Sequence, residues 1–243
     1  MISQYTKQGY HGSNQDACGY LELDDKVIMA VADGHGHYLH FRSDIGARLA
    51  VDSFIDVYQD CTSNPDELKQ KESEIQPLWL EKVDEFHNQN IVSSYEWART
   101  REYAQNYIDK KIPIEIAYGS TLLGAVYFKQ ENKLFILRIG DGEIMKVSLF
   151  HTVNLLKKND YGSDYVTESI CEIPAKIKDN LEMDSFNNGL TQKDLFVLAS
   201  DGLTKFKNKK EIVHKIRKDP NNMASLLSKL DNADDLTLVI YKL

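Results

Sequence analysis

Residues 27–37 read VIMAVADGHGH. An apolar run rich in β-branched side chains ends at Asp33 and is followed by Gly34, His35, Gly36 and His37. A short run of this kind predicts a buried strand, and the glycines permit a tight turn at its end. A carboxylate placed where a strand leaves a sheet is in position to hold a metal ion or to reach a substrate. The same junction recurs downstream. LRIGDGEI carries Asp141, LFVLASDG carries Asp201, and the pair Asp234/Asp235 opens the run LTLVI; Asp16 lies near a fifth strand edge. A single Asp-Gly turn is most often only a turn, so the weight rests on the combination.

Working outward, Gly19–Leu23 and Lys26–Asp33 predict a hairpin turned at Asp24-Asp25. Ser43 with Asp44 reads as the cap and first turn of a helix with Ala47, Ala50, Val51, Phe54 and Tyr58 on one stripe. Residues 60–116 read as two packing helices bounded by Pro77 and Pro113, with no visible chemistry. Tyr118–Phe128 is apolar on both alternations, as in a strand covered on both faces. Lys133–Ile139, the turn Gly140-Asp141-Gly142 and Glu143–Val147 predict a second hairpin. Residues 150–192 lack periodicity, a pattern that goes with a functional or mobile segment. Leu195–Ser200 and Leu236–Leu243 predict strands, and Glu211–Arg217 and Met223–Leu230 predict helices. With no repeat and no clear linker, one domain over 1–243 is expected.

The chain has 243 residues and a net charge of −8, which disfavours nucleic acid as a partner because phosphate backbones select basic surfaces. Cys18, Cys61 and Cys171 follow no ligand pattern and read as reduced thiols. No secretory signal and no apolar run of membrane-spanning length is present, so a cytoplasmic protein without a membrane partner is expected. Hard cations such as Mg²⁺ and Mn²⁺ prefer oxygen ligands, which suits a set of carboxylates on rigid strand ends.

The ordered motifs NQDA (14–17), VADGHG (31–36) with GARLA (46–50), GSTLLGAVYF (119–128), IGDGEI (139–144), LASDGL (198–203) and DDLTLVI (234–240) closely resemble the metal-dependent protein phosphatase 2C family. They are similar in particular to its bacterial branch with Gln-Asp-Ala and Asp-Asp-x-Thr motifs. The resemblance runs from about residue 9 to the C-terminus, with little motif in 60–116. It implies an α+β fold, a four-layer αββα sandwich in which two central, mostly antiparallel sheets are flanked by helices. It also implies a serine/threonine phosphoprotein phosphatase that uses two Mn²⁺ or Mg²⁺ ions and a water or hydroxide bridging them. Asp33 would bridge the ions, Gly34 would lend its carbonyl oxygen, and Asp201 and Asp234 would complete one ion's ligands. Asp16 and Gln15 would order the surroundings of the other. His35 would be the general acid on the leaving oxygen, and 150–192 would match the flap that borders the substrate groove, with Thr167, Glu168 and Ser169 read first as plain polar loop residues and alternatively as substrate contacts. Phosphoserine and phosphothreonine proteins are the implied substrates, and a partner Ser/Thr kinase in a signalling pair is consistent with the family.

Three positions depart from the pattern. His11 stands where an arginine would clamp the substrate phosphate, so weaker capture at higher pH is expected, with Lys7 and Arg42 as the alternative cations. Gln15 replaces a glutamate. Lys205 replaces the carboxylate that would complete a third metal site with Asp141 and Asp201, so that site is expected to be weak. The competing expectations are a catalytically weak or inactive phosphoprotein-binding module, to which the replaced arginine points, and a two-metal hydrolase of small phosphoesters.

Overall fold

The computed structural model describes residues 1–10, 12–156, 167–172, 182–186, 190–191 and 193–243; for 182–186 the description covers the backbone. Two five-stranded sheets stack face to face. One has the order β1 (Ile2–Lys7), β10 (Leu236–Lys242), β9 (Leu195–Ala199), β6 (Glu143–Val147), β7 (Thr152–Asn154). The other has the order β2 (Ala17–Glu22), β3 (Lys26–Ala32), β4 (Leu122–Phe128), β5 (Lys133–Ile139), β8 (Glu182–Phe186). All of these pairings are antiparallel.

The two-residue period of a strand sorts the apolar side chains into three layers. In β3, Val27, Met29 and Val31 face the other sheet and join Phe196, Leu198 and Val239 in the central layer. Ile28, Ala30 and Ala32 face outward, onto Ala47, Ala50, Phe54 and Tyr58 of helix α1 (Ser43–Tyr58) and Trp79 and Val83 of helix α2 (Pro65–Gln89). On the far side Leu195, Val197, Leu236 and Leu238 pack on Ile212, Val213 and Ile216 of the helix Lys209–Lys218. Each such buried aliphatic side chain contributes about 1.5–3 kcal/mol. The expected αββα sandwich is the fold. Among the described residues no helix is long and apolar enough to cross a membrane.

Several sequence expectations are corrected. β5 and β6 are not a hairpin: β5 pairs with β4 and β8, β6 with β9 and β7, so Gly140–Gly142 carries the chain from one sheet to the other. Gly140 (φ +88°) and Gly142 (φ +94°) adopt the left-handed region that this crossing requires. Pro77 is not a boundary, because α2 runs through it. Ser43 does not cap α1; it is the first helical residue, fully buried, and its hydroxyl accepts a hydrogen bond from Gln15 Nε2 at 2.9 Å. Strand β1, for which the sequence carries no strand signal, pairs along its whole length with β10.

Candidate active site

Register brings the carboxylates together. β2 and β3 pair Ala17 with Ala32, which sets Asp16 beside Asp33 at one end of the sandwich. Glu143 of β6 pairs with Ala199 of β9, so Asp141 and Asp201 reach the same end. The Ser200 amide bonds Thr237 O at 3.0 Å, which brings the segment before β10, with Asp234 and Asp235, alongside. The Asp33 amide donates to Thr121 Oγ1 at 3.0 Å, and the Thr121 amide donates back to Asp33 O at 2.8 Å, fixing the turn. Gly34 is squeezed there: a Cβ would lie 2.8 Å from the carbonyl oxygens of both Gln15 and Ser43, so only glycine passes.

The result is a pocket of about 370 Å³ whose walls carry Gln15, Asp33, Gly34, His35, Asp141, Thr167, Asp201, Asp234 and Asp235. Burial, and then the charges of Asp16, Asp201, Asp141 and Asp234, push the Asp33 carboxyl well above the usual range. Burial pushes Asp16 up to about 7, against hydrogen bonds from Ser200 and Thr237, and burial beside Asp201 pushes Asp141 up to about 6. Burial next to His40 pushes His35 down to about 3.

The paired aspartates divide their work. Asp235 accepts from the amides of Gly9 (2.8 Å) and Gln15 (2.7 Å), so it holds the N-terminal loop over the pocket. Asp234 instead pairs with Lys205, whose ammonium also lies 2.7 Å from Asp201 Oδ2. Partial burial lowers the proton affinity of Lys205, but these two carboxylates outweigh it and raise it overall. The sequence expectation sets Lys205 in place of a third-site carboxylate; in the fold its ammonium joins the two carboxylates expected to serve the first metal. Removing Asp235 strands two amides, and Asp235→Ala is expected to cost about 2–3 kcal/mol in urea denaturation; a loss below about 0.5 kcal/mol would contradict this role.

The residues present suit divalent cations. Asp16 Oδ1 and Asp201 Oδ1 are buried without a hydrogen-bond partner, and carboxylates that raise one another's proton affinity are relieved by a cation. Among the described residues no three such side chains close on one point, and Lys205 stands between two of them.

Other expected residues are placed as follows. His11 lies outside the described residues, as do 157–166, 173–181, 187–189 and 192 of the flap-like segment. Neither alternative cation lines the pocket: Lys7 Nζ is bonded to Leu230 O, and the buried Arg42 guanidinium is held by Glu96, Asn90 O and Tyr118 Oη. Glu168 and Ser169 are buried, so of that trio only Thr167 lines the pocket. His37 is exposed and packs near Tyr103. Sequence reading did not assign Ser43 or Ser200 to the site, although their hydroxyls hold Gln15 and Asp16, because a serine that supports a site has no signature of its own.

A family model described as "Protein phosphatase 2C" matches residues 8–231. The chain belongs to that family. Comparison with curated protein sequences finds none that matches significantly. Among solved structures, the PPM Ser-Thr phosphatase MsPP from Mycobacterium smegmatis, in complex with cacodylate, is 18% identical, with 100% of this chain and 98% of that one covered and a TM-score of 0.66. The S. agalactiae serine/threonine phosphatase is 19% identical, with coverage of 100% and 99% and a TM-score of 0.62. The catalytic domain of the phosphatase PstP, in complex with two manganese ions, is 13% identical, with coverage of 99% and 96% and a TM-score of 0.62. At these identities the likeness is one of fold.

Proposed function

We propose that the chain is a Mn²⁺- or Mg²⁺-dependent phosphatase acting on phosphoserine and phosphothreonine proteins. One observation carries this reading: Asp33 sits among Asp16, Asp141, Asp201 and Asp234 in a pocket open to substrate. A phosphate dianion is repelled by such a pocket unless cations stand between them. Asp33, the Gly34 carbonyl, Asp201 and Asp234 would hold two ions, with Asp16 and Gln15 ordering the surroundings and Asp141 serving a weak third. Bound there, the ions supply positive charge that activates a water and offsets the charge of the phosphoryl group. His35 hands a proton to the leaving serine or threonine oxygen, and His11 contacts the phosphate.

The inactive, phosphoprotein-binding reading draws on Lys205, which already neutralises Asp201 and Asp234. A cation entering this site has to displace that ammonium. Lys205→Ala is expected to tighten Mn²⁺ binding about tenfold in calorimetric titration, since no ammonium has to leave; unchanged or weaker binding would show that the lysine does not compete. Hydrolysis of a phosphothreonine peptide that requires Mn²⁺ or Mg²⁺ and is lost in Asp234→Asn tests the function itself. Turnover that survives chelation would contradict it.

A further inference from the structure

We propose that Arg99 and Arg101 form a second anion-binding subsite beside the phosphate pocket, which selects phosphoproteins carrying an acidic group near the phosphorylated residue. The proposal rests on the phosphatase reading above and narrows its substrates. A cavity of about 320 Å³ adjoins the carboxylate pocket, and Gln15 and Gly36 line both; Arg99 and Arg101 also line it. A third cavity, about 500 Å³, leaves the same point past His37 and Thr167. A peptide whose phosphate enters the first cavity therefore has its flanking residues beside the arginines.

The arginines sit on an anchored platform. Arg99 ends helix α3 (Ser94–Arg99), which Ser93 and Glu96 cap reciprocally. Glu96 is in turn fixed by the buried Arg42, at 2.6 Å. Partial burial pushes the Glu96 carboxyl up, but the bonds from Arg42 and Ser93 prevail and hold it at about 2. Arg101 occupies the left-handed region (φ +52°), where a non-glycine residue carries a strain cost. Its guanidinium stacks 3.6 Å from the centre of the Tyr38 ring. Stacking leaves the in-plane N–H donors free, in the planar fork that fits a carboxylate or a phosphate. In a chain of net charge −8, neither arginine has a carboxylate partner among the described residues.

The test uses the full chain with Mn²⁺ and phosphothreonine peptides whose flanking residues are alanine, or glutamate or phosphoserine at one position at a time. The wild type is expected to show a kcat/KM about tenfold higher for the best acidic position, carried by KM. The glutamate and phosphoserine arms decide which anion the subsite takes. Arg99→Gln with Arg101→Gln is expected to bring the ratio near one, whereas Arg48→Gln, an exposed arginine paired with Asp44 on α1, leaves it in place. Turnover of the alanine peptide with no acidic preference, or a preference that survives the double substitution, would overturn the subsite and leave the phosphatase reading standing. Turnover of no peptide counts against the phosphatase reading instead, and fluorescence anisotropy then reads the subsite directly. Tighter binding of the acidic peptide, lost in the double variant, supports it; equal binding refutes it.

Discussion

Asp33→Asn is expected to lower metal-dependent turnover by at least about 10³-fold and, at the same time, to stabilise the metal-free protein. The first effect follows from losing the carboxylate at the centre of the set, which would hold the cations whose positive charge stabilises the transition state. The second follows from electrostatics. Burial and four neighbouring carboxylates raise the Asp33 proton affinity, so its ionised form is disfavoured in the folded state, and an amide of the same shape removes that penalty. The sign of the pH dependence is fixed. Carboxyls raised in the folded state bind more protons there than in the unfolded chain, so their stabilisation is lost as pH rises through the folded values, about 6 for Asp141 and about 7 for Asp16. The half-buried His35, lowered to about 3, acts in the opposite direction below its unfolded value of about 6.5. Without metal, the melting temperature should therefore fall between about pH 6 and about pH 8, and the fall should shrink in Asp33→Asn and with saturating Mn²⁺. A metal-free melting temperature that rises across this window would contradict the reading of the pocket.

His35→Ala is expected to separate two kinds of substrate. A serine or threonine alkoxide is a poor leaving group without a proton, so the variant should lose about 10²–10⁴ in kcat on a phosphothreonine peptide. An aryl phosphate with an acidic phenol leaves as a stable anion and should lose far less. In the free protein, burial and His40 keep His35 neutral. A phosphate dianion beside the imidazole would raise its proton affinity, so in the proposed reaction substrate itself would load the acid. Equal losses on the two substrates would assign His35 to holding the turn rather than to proton transfer.

Much of this was legible because strand periodicity and the strand-end carboxylates act locally. VIMAVADGHGH alternates its side chains between the two core layers as its apolar run implies, and Asp33, Asp141, Asp201 and Asp234 meet at one end of the sandwich. The errors lie where tertiary context decides. Gly140-Asp141-Gly142 has the composition of a hairpin turn, but which sheet receives β6 depends on pairing with β9, a strand distant in the chain. Strand β1 is an edge strand with one partner, and its six residues leave too short a pattern to stand out. Lys205 was visible as a missing carboxylate, but not as a cation reaching Asp234, because that contact joins two separate loops. Arg99 and Arg101 lay in a stretch without motif, and only the fold turns that stretch toward Gly36.

The most direct measurement is phosphate release from a phosphothreonine peptide by the wild-type chain as Mn²⁺ is titrated. Turnover that rises from the chelated baseline to a plateau with added metal is the predicted result. Absence of turnover on any phosphoester at saturating Mn²⁺, with the peptide still bound, would contradict a catalytic role and leave a phosphoprotein-binding module.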